Sequence, residues 1–396
     1  MDLGNWSALV AGAGSLSSAP LFEGFFLGGF ECACQRLQDG RRLDLTASTR
    51  HDELVRDDYA RLRDLGMTAA RDGVSWVQSE RSFGNYDFAR AAPMISAARA
   101  TGLDVIWDLM HFGWPDDVDV FAPTFPTRFA RYARAFARWY ANETDRQLFV
   151  TPINEMSFIA WAGGDVRVMN PFESARGVEL KVALVRATIE AIDEIRSIVP
   201  NARFLQPEPV INIVPSIEHP KTWRRVESDN LLQYQAWDML TGRVWPHLGG
   251  DERYLDIIGV NFYPDNQFML DGTTIRRGDK RYRPFASMLE SVWHRYQRPM
   301  IVSETGAEGD ERGAWLAYVT DQCSAAIAEG VELHGITIYP VLDYKGWVDG
   351  RDCQTGVWTH ADAKGHRALH EPSAAVIREQ GTLLKAARNA LLRLRA

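Results

Sequence analysis

The chain has 396 residues, 46% of them apolar, and carries a net charge of −8. That supplies a large core, while the acidic balance and the lack of any basic block exclude a nucleic-acid partner, and no apolar run is long enough to span a bilayer. The four cysteines (Cys32, Cys34, Cys323 and Cys353) contain no C-x-x-C pair, and Cys32 and Cys34 stand too close for an ordinary disulfide.

Free thiols favour a reducing, cytoplasmic compartment. Residues 1–22 lack the basic and apolar regions of a secretory leader and are expected to form an irregular extension. The first strand is predicted over 25–30, in FFLGGFE. A helix over 52–65 keeps Val55, Tyr59 and Leu62 on one face and stops at Gly66. The second strand, MTAARDGVSW, starts at Met67, and a helix over 88–101 ends at Gly102. The third, LDVIWDLMH, starts at Leu103. Its helix, over 126–142, sets Phe129, Tyr132, Phe136 and Trp139 three and four apart.

The fourth strand, LFVTPINE, ends at Glu155, and a helix over 178–199 is stopped by Pro200. The fifth is ARFLQPEP from Ala202, followed by a helix over 229–243. The sixth is LDIIGVNFYP from Leu255, with a helix over 285–296 before the seventh, PMIVSETG, from Pro299. A helix over 313–329 leads to the eighth strand, LHGITIYPVLDY, from Leu333, and a last helix follows over 373–396. Eight strand–helix units without a repeat or linker give an α/β fold: a single (β/α)8 TIM barrel with loop insertions, one domain over 1–396. The rival is an open doubly wound sheet. It needs a glycine-rich loop after an early strand, whereas Gly12 and Gly14 precede the first one.

Polar residues recur where the strands end: Glu31, Arg71 and Asp72, Asp108 and His111, Asn154 and Glu155, Glu208, Asn261 and Tyr263, Glu304, then Tyr339 and Asp343. In such a barrel those ends line the active-site face. A solvated loop explains any one of them better than it explains the ring. Glu155 and Glu304 end strands four and seven, which lie across the mouth from each other. Two carboxyl groups about 5–5.5 Å apart are the equipment of a retaining glycosidase.

These segments resemble glycoside hydrolase family 1, the β-glucosidase-like members of the (β/α)8 retaining clan. FLGGFECACQ is similar to the opening strand with its sugar-binding glutamine, here Gln35. RDGVSW resembles the strand whose arginine steers the nucleophile, here Arg71, and DLMHFGWP supplies His111. PINEMSF resembles the acid/base motif, giving Asn154 and Glu155. GVNFYP gives Tyr263, IVSETG the nucleophile Glu304, and ITIYPVLDYKGW the last strand with Tyr339 and Trp347. The resemblance implies a cofactor- and metal-independent retaining β-glycosidase acting on a carbohydrate. Glu155 serves as acid/base and Glu304 as nucleophile, while Gln35, Arg71, His111, Asn154, Tyr263, Tyr339 and Trp347 line the sugar site. Glu155 has to start protonated, with its pKa raised by Glu304. Trp114 is a second candidate sugar platform.

The chain departs from the family where a tryptophan is replaced by Tyr339, a sugar-gripping glutamate by Gly346, and the first of two histidines by Met110. The implied substrate is therefore not a standard β-glucoside. An anionic sugar met by Lys345 and Arg351 is one alternative, against plain surface solvation of those two residues. Rival functions are a non-catalytic carbohydrate-binding barrel, a transglycosidase, and a metal-dependent hydrolase using His366 and His370. That histidine pair lies after the last strand and reads as a surface turn.

Overall fold

The computed structural model describes residues 19–216 and 222–395; Gly12 and Gly14 lie outside them. Eight parallel strands close a barrel in sequential order: β1 (Phe26–Gly29), β2 (Ala69–Gly73), β3 (Asp104–Met110), β4 (Phe149–Ile153), β5 (Arg203–Pro209), β6 (Ile257–Asn261), β7 (Met300–Thr305) and β8 (Leu333–Ile338). β1 pairs with both β2 and β8, which completes the ring. The chain therefore has the (β/α)8 fold that its alternating pattern predicts.

Side chains alternate across each strand, and that period builds two cores. Leu27, Ala69, Ile106, Phe149, Leu205, Ile257 and Ile301, one from each of β1 to β7, point inward and form an apolar layer. Phe22 closes it from below, its ring 5.0 Å from that of Phe149. The alternate positions, among them Phe26, Ala70, Trp107, Val150, Phe204, Ile258 and Val302, pack outward against the helices. Two residues beyond the inner layer, the inward positions change character. Arg71 follows Ala69, Asp108 follows Ile106, and Ser303 follows Ile301, all buried. The barrel is thus oily at its base and polar at its mouth.

The surrounding helices are α1 (His51–Asp64), α2 (Ala92–Thr101), α3 (Phe125–Glu143), α4 (Gly177–Arg196), α5 (Trp223–Leu231), α6 (Gln235–Leu240), α7 (Phe285–Tyr296), α8 (Glu311–Ala328) and α9 (Glu371–Arg395). The helix expected over 229–243 is instead broken into α5 and α6. Asn230 exchanges two 2.8 Å hydrogen bonds with the backbone of Ile213, and Gln233 accepts from Ile211 N at 3.0 Å. Local helix propensity gives way to these tertiary bonds. α9 closes the base: Arg388, buried, donates to the carbonyls of Phe22, Gly24 and His334.

Candidate active site

Neighbouring residues of a strand point to opposite faces, so two adjacent side chains can face the mouth only where the backbone departs from regularity. Both candidate carboxylates stand at such places. β7 slips register against β6 between Val302 and Glu304, so that Ser303 and Glu304 both enter the mouth. After β4, Glu155 takes a left-handed conformation with φ of 48°, which turns it inward beside Asn154. A non-glycine residue held there is strained and persists only where its surroundings fix it. Asn154 N donates to Met110 O at 3.0 Å and Glu155 N to Pro207 O at 3.2 Å, tying this turn to β3 and β5.

Arg71 lies at the centre, fully buried. It donates to Asp108 through Nε at 3.0 Å and Nη2 at 2.7 Å. It also donates to Glu304 Oε1 at 2.7 Å and to Asn154 Oδ1 at 2.6 Å. Tyr263 OH donates to the other oxygen of Glu304 at 2.9 Å. Burial and the adjoining charge of Glu304 push the Tyr263 phenol well above its usual range, so it remains a donor. Glu304 thus accepts from a donor at each oxygen, the geometry of a carboxylate held in one orientation.

Glu155 is 8% exposed. Burial first, and then the negative charge of Glu304, hold its carboxyl well above the ordinary range. Asn261 Nδ2 donates to Glu155 Oε1 at 2.8 Å, and Ser303 Oγ donates to Asn261 Oδ1 at 2.6 Å. Asn261, given no role by the motif reading, therefore orients Glu155 and opposes its shift. Behind it sits Glu208, fully buried and accepting from Ser157 N at 3.1 and 3.3 Å. Burial raises Glu208 to about 7 against those bonds and the charge of Lys181.

His111 gives Nδ1–H to Asp108 Oδ2 at 2.7 Å. Arg71 and His111 hold the Asp108 carboxyl below its usual range, overcoming its burial. The second ring nitrogen of His111 meets Tyr339 OH at 3.1 Å and Asn154 Nδ2 at 3.4 Å. Tyr339 stacks on His111 with centroids 5.4 Å apart and reaches the Phe30 carbonyl at 3.2 Å. Gly29 makes room for it, since a Cβ there would stand 2.2 Å from Tyr339 Cδ2.

One connected network therefore joins Arg71, His111, Asn154, Tyr263, Glu304 and Tyr339, with Glu155 near enough to be raised by the charge of Glu304. Gln35 is buried, its Oε1 without a hydrogen-bond partner among the described residues. Trp347 packs edge-on against Phe112, 5.2 Å between centroids. Asp72 is a correction to the predicted ring: one position along from Arg71, it points outward to His51 and Tyr59. Glu31 joins the site from the end of β1, 3.9 Å from His111 Nε2.

No family sequence model and no curated protein matches the chain. Solved structures do. A β-glucosidase from Thermotoga maritima in complex with glucoimidazole aligns with a TM-score of 0.74 over 91% of this chain and 99% of that one, at 17% identity. A family 1 β-glucosidase from the same organism gives 0.73 over 90% and 98%, at 16%. Its complex with isofagomine lactam gives 0.74 over 91% and 99%, at 16%.

The fold is that of a family 1 β-glucosidase.

On that β-glucosidase barrel, the departures noted in the sequence have structural consequences. A Cβ at Gly346 would stand 2.6 Å from Asp349 Oδ1 and 3.4 Å from Cys353 Sγ. It would meet the hairpin formed by Tyr344–Lys345 and Asp352–Cys353. Lys345 pairs with Asp352 at 2.5 Å, and Arg351 pairs with Glu308. Both cations are neutralised by neighbours rather than presented to a ligand. Trp114 is 5% exposed and belongs to the core.

Cys32, Asp108 and His111 bring possible metal-ligand atoms within 4.8 Å of one another. Asp108 is already engaged by the Arg71 guanidinium, whose charge opposes a second cation there. His366 pairs with Asp362 and His370 with Ser373, both before α9 begins. The four cysteines are free and buried. Among the described residues no helix is long and apolar enough to cross a membrane.

Proposed function

We propose that the whole chain is one catalytic barrel, a retaining β-glycosidase that works by double displacement with Glu304 as nucleophile and Glu155 as acid/base. One observation carries this reading. Glu304 is held through both oxygens by Arg71 and Tyr263, and it faces a buried carboxyl that its own charge helps to keep protonated.

In the first step Glu304 attacks the anomeric carbon, the glycosidic C–O bond breaks, and the Glu155 proton moves to the leaving oxygen. Once Glu304 is esterified its charge is gone. The acidity of Glu155 then rises, which suits it to take a proton from water. Water oxygen attacks the anomeric carbon and Glu304 leaves as a carboxylate. Asn154, its carbonyl fixed by Arg71, keeps its amide for the sugar 2-hydroxyl, an interaction that strengthens with oxocarbenium character. Free buried thiols suit a reducing, cytoplasmic setting.

The test is trapping. An activated 2-deoxy-2-fluoro-β-glycoside panel should add one glycosyl mass to the peptide carrying Glu304. Intact protein across the panel, with no turnover of the parent glycosides, overturns the proposal.

A further inference from the structure

On the proposed glycosidase reading, we infer that Glu31 is a specificity-determining residue: paired with the indole N–H of Trp347, it grips a hydroxyl of the glycone. Glu31 stands just past β1, 6% exposed, on the opposite side of His111 from Asp108. Its Oε1 accepts from Ala33 N at 3.0 Å and lies 3.9 Å from His111 Nε2. The Ala33 bond fixes the carboxyl against the strand end. Among the described residues no arginine or lysine pairs with it, in contrast to Asp108 and Glu304, each of which holds Arg71; its basic neighbour is His111.

Trp347 faces the same carboxyl. Its Nε1 is buried and lacks a hydrogen-bond partner among the described residues, and it lies near Glu31, whose carboxyl is raised by burial against the opposing pull of His111, Ala33 N–H and this indole. A buried N–H left unpaired is costly, and such a group beside a site is usually satisfied by a ligand. The pair thus presents one acceptor and one donor to the same small volume. A hydroxyl satisfies both at once, donating to Glu31 and accepting from Trp347. An ammonium group would leave the indole unpaired, and a carboxylate or phosphate would meet the acceptor oxygens of Glu31 in addition to the charge of Glu304. The ligand group is therefore an uncharged sugar hydroxyl, and anionic glycones are rejected. This disfavours the alternative of an anionic sugar at Lys345 and Arg351, which are already paired.

The experiment couples enzyme and substrate changes. kcat/KM is measured for the best nitrophenyl glycoside and its monodeoxy analogues, with wild type, Glu31→Ala and Trp347→Phe, each variant being checked for native thermal unfolding. Glu31→Ala should lower kcat/KM on the parent sugar about 10²-fold, the worth of a hydrogen bond to a charged group. For one deoxy analogue the same substitution should change little, because the hydroxyl it would have held is gone. Trp347→Phe should single out the same analogue. Parallel losses on every analogue, or different analogues for the two variants, overturn the assignment and leave the glycosidase reading standing. Wild type that neither turns over nor becomes labelled at Glu304 overturns that reading, and the assignment with it.

Discussion

Arg71 and Glu304 meet at 2.7 Å, and the same guanidinium grips Asp108 at 2.7 Å from its other side. On the proposed mechanism Arg71 is thus shared between a carboxylate that reacts and one that does not. Asp108 anchors the arginine, so that approach of a sugar leaves the donor to Glu304 in place.

Replacing Arg71 with Met should therefore cost on two scales. Loss of a fixed donor to the reacting carboxylate lowers kcat/KM by about 10²–10³-fold. Leaving buried Asp108 with only His111 as its partner lowers stability by up to about 3–5 kcal/mol. Asp108→Asn should reproduce part of the kinetic loss through a misplaced Arg71. Urea unfolding and steady-state kinetics on the same preparations separate the two effects. Unchanged kinetics in Arg71→Met would remove it from the reaction.

Glu155 and Glu304 should fail differently. On the proposed mechanism Glu155→Ala removes the proton donor, so turnover of poor leaving groups should drop by about 10²–10⁴-fold. Dinitrophenyl glycosides need no protonation and should keep a fast first step, visible as a burst. Glu304→Gly should abolish turnover of both, with azide restoring it as the α-glycosyl azide. Identical leaving-group dependence in the two variants contradicts the assigned roles.

The alkaline limb of kcat/KM should report Glu155, because the proposed mechanism needs its protonated form. That limb should lie well above the range of an ordinary glutamate, burial and the Glu304 charge both acting upward. Asn261 opposes them by hydrogen bonding to the charged form. Asn261→Ala should therefore move the limb to higher pH, and Glu304→Gln, which deletes the repelling charge, should lower the Glu155 pKa seen by carboxyl NMR. A downward move in Asn261→Ala would place another group in control of the limb.

Much of this site could be anticipated from strand periodicity. In AARDG the inward positions are Ala69 and Arg71 and the outward ones Ala70 and Asp72, which follows from a period of two once β2 is located. The same rule misplaces Glu304, because the slip in β7 is a product of pairing with β6 and has no signature in IVSET. Asn261 and Glu31 could be listed as mouth residues, but their partners Glu155 and His111 are supplied by strands distant in sequence. The break between α5 and α6 also lay beyond local pattern, being set by bonds to residues 211 and 213.

His51 offers a test of the scaffold rather than the site. Its buried ring bridges Asp58 and Asp72, 2.9 Å from each, while Phe30 stacks on it at 3.8 Å. Tyr59 OH also donates to Asp72, and Arg61 and Arg367 flank Asp58. Burial alone would lower the His51 pKa, but the two carboxylates overcome it and raise it to about 9 from 6.5. A raised folded-state value means stability that is complete below 6.5, the unfolded value, and is lost as pH climbs through about 9. Wild-type Tm should accordingly fall between those limits, and His51→Gln should be less stable at pH 6 by about 3 kcal/mol while showing a much flatter profile over that interval. Asp58 has the opposite sign: despite its burial, His51 and Arg367 hold it below its usual value, so its contribution disappears in acid instead. If the variant and the wild type lose stability in parallel from neutral to alkaline pH, His51 is not the group that titrates.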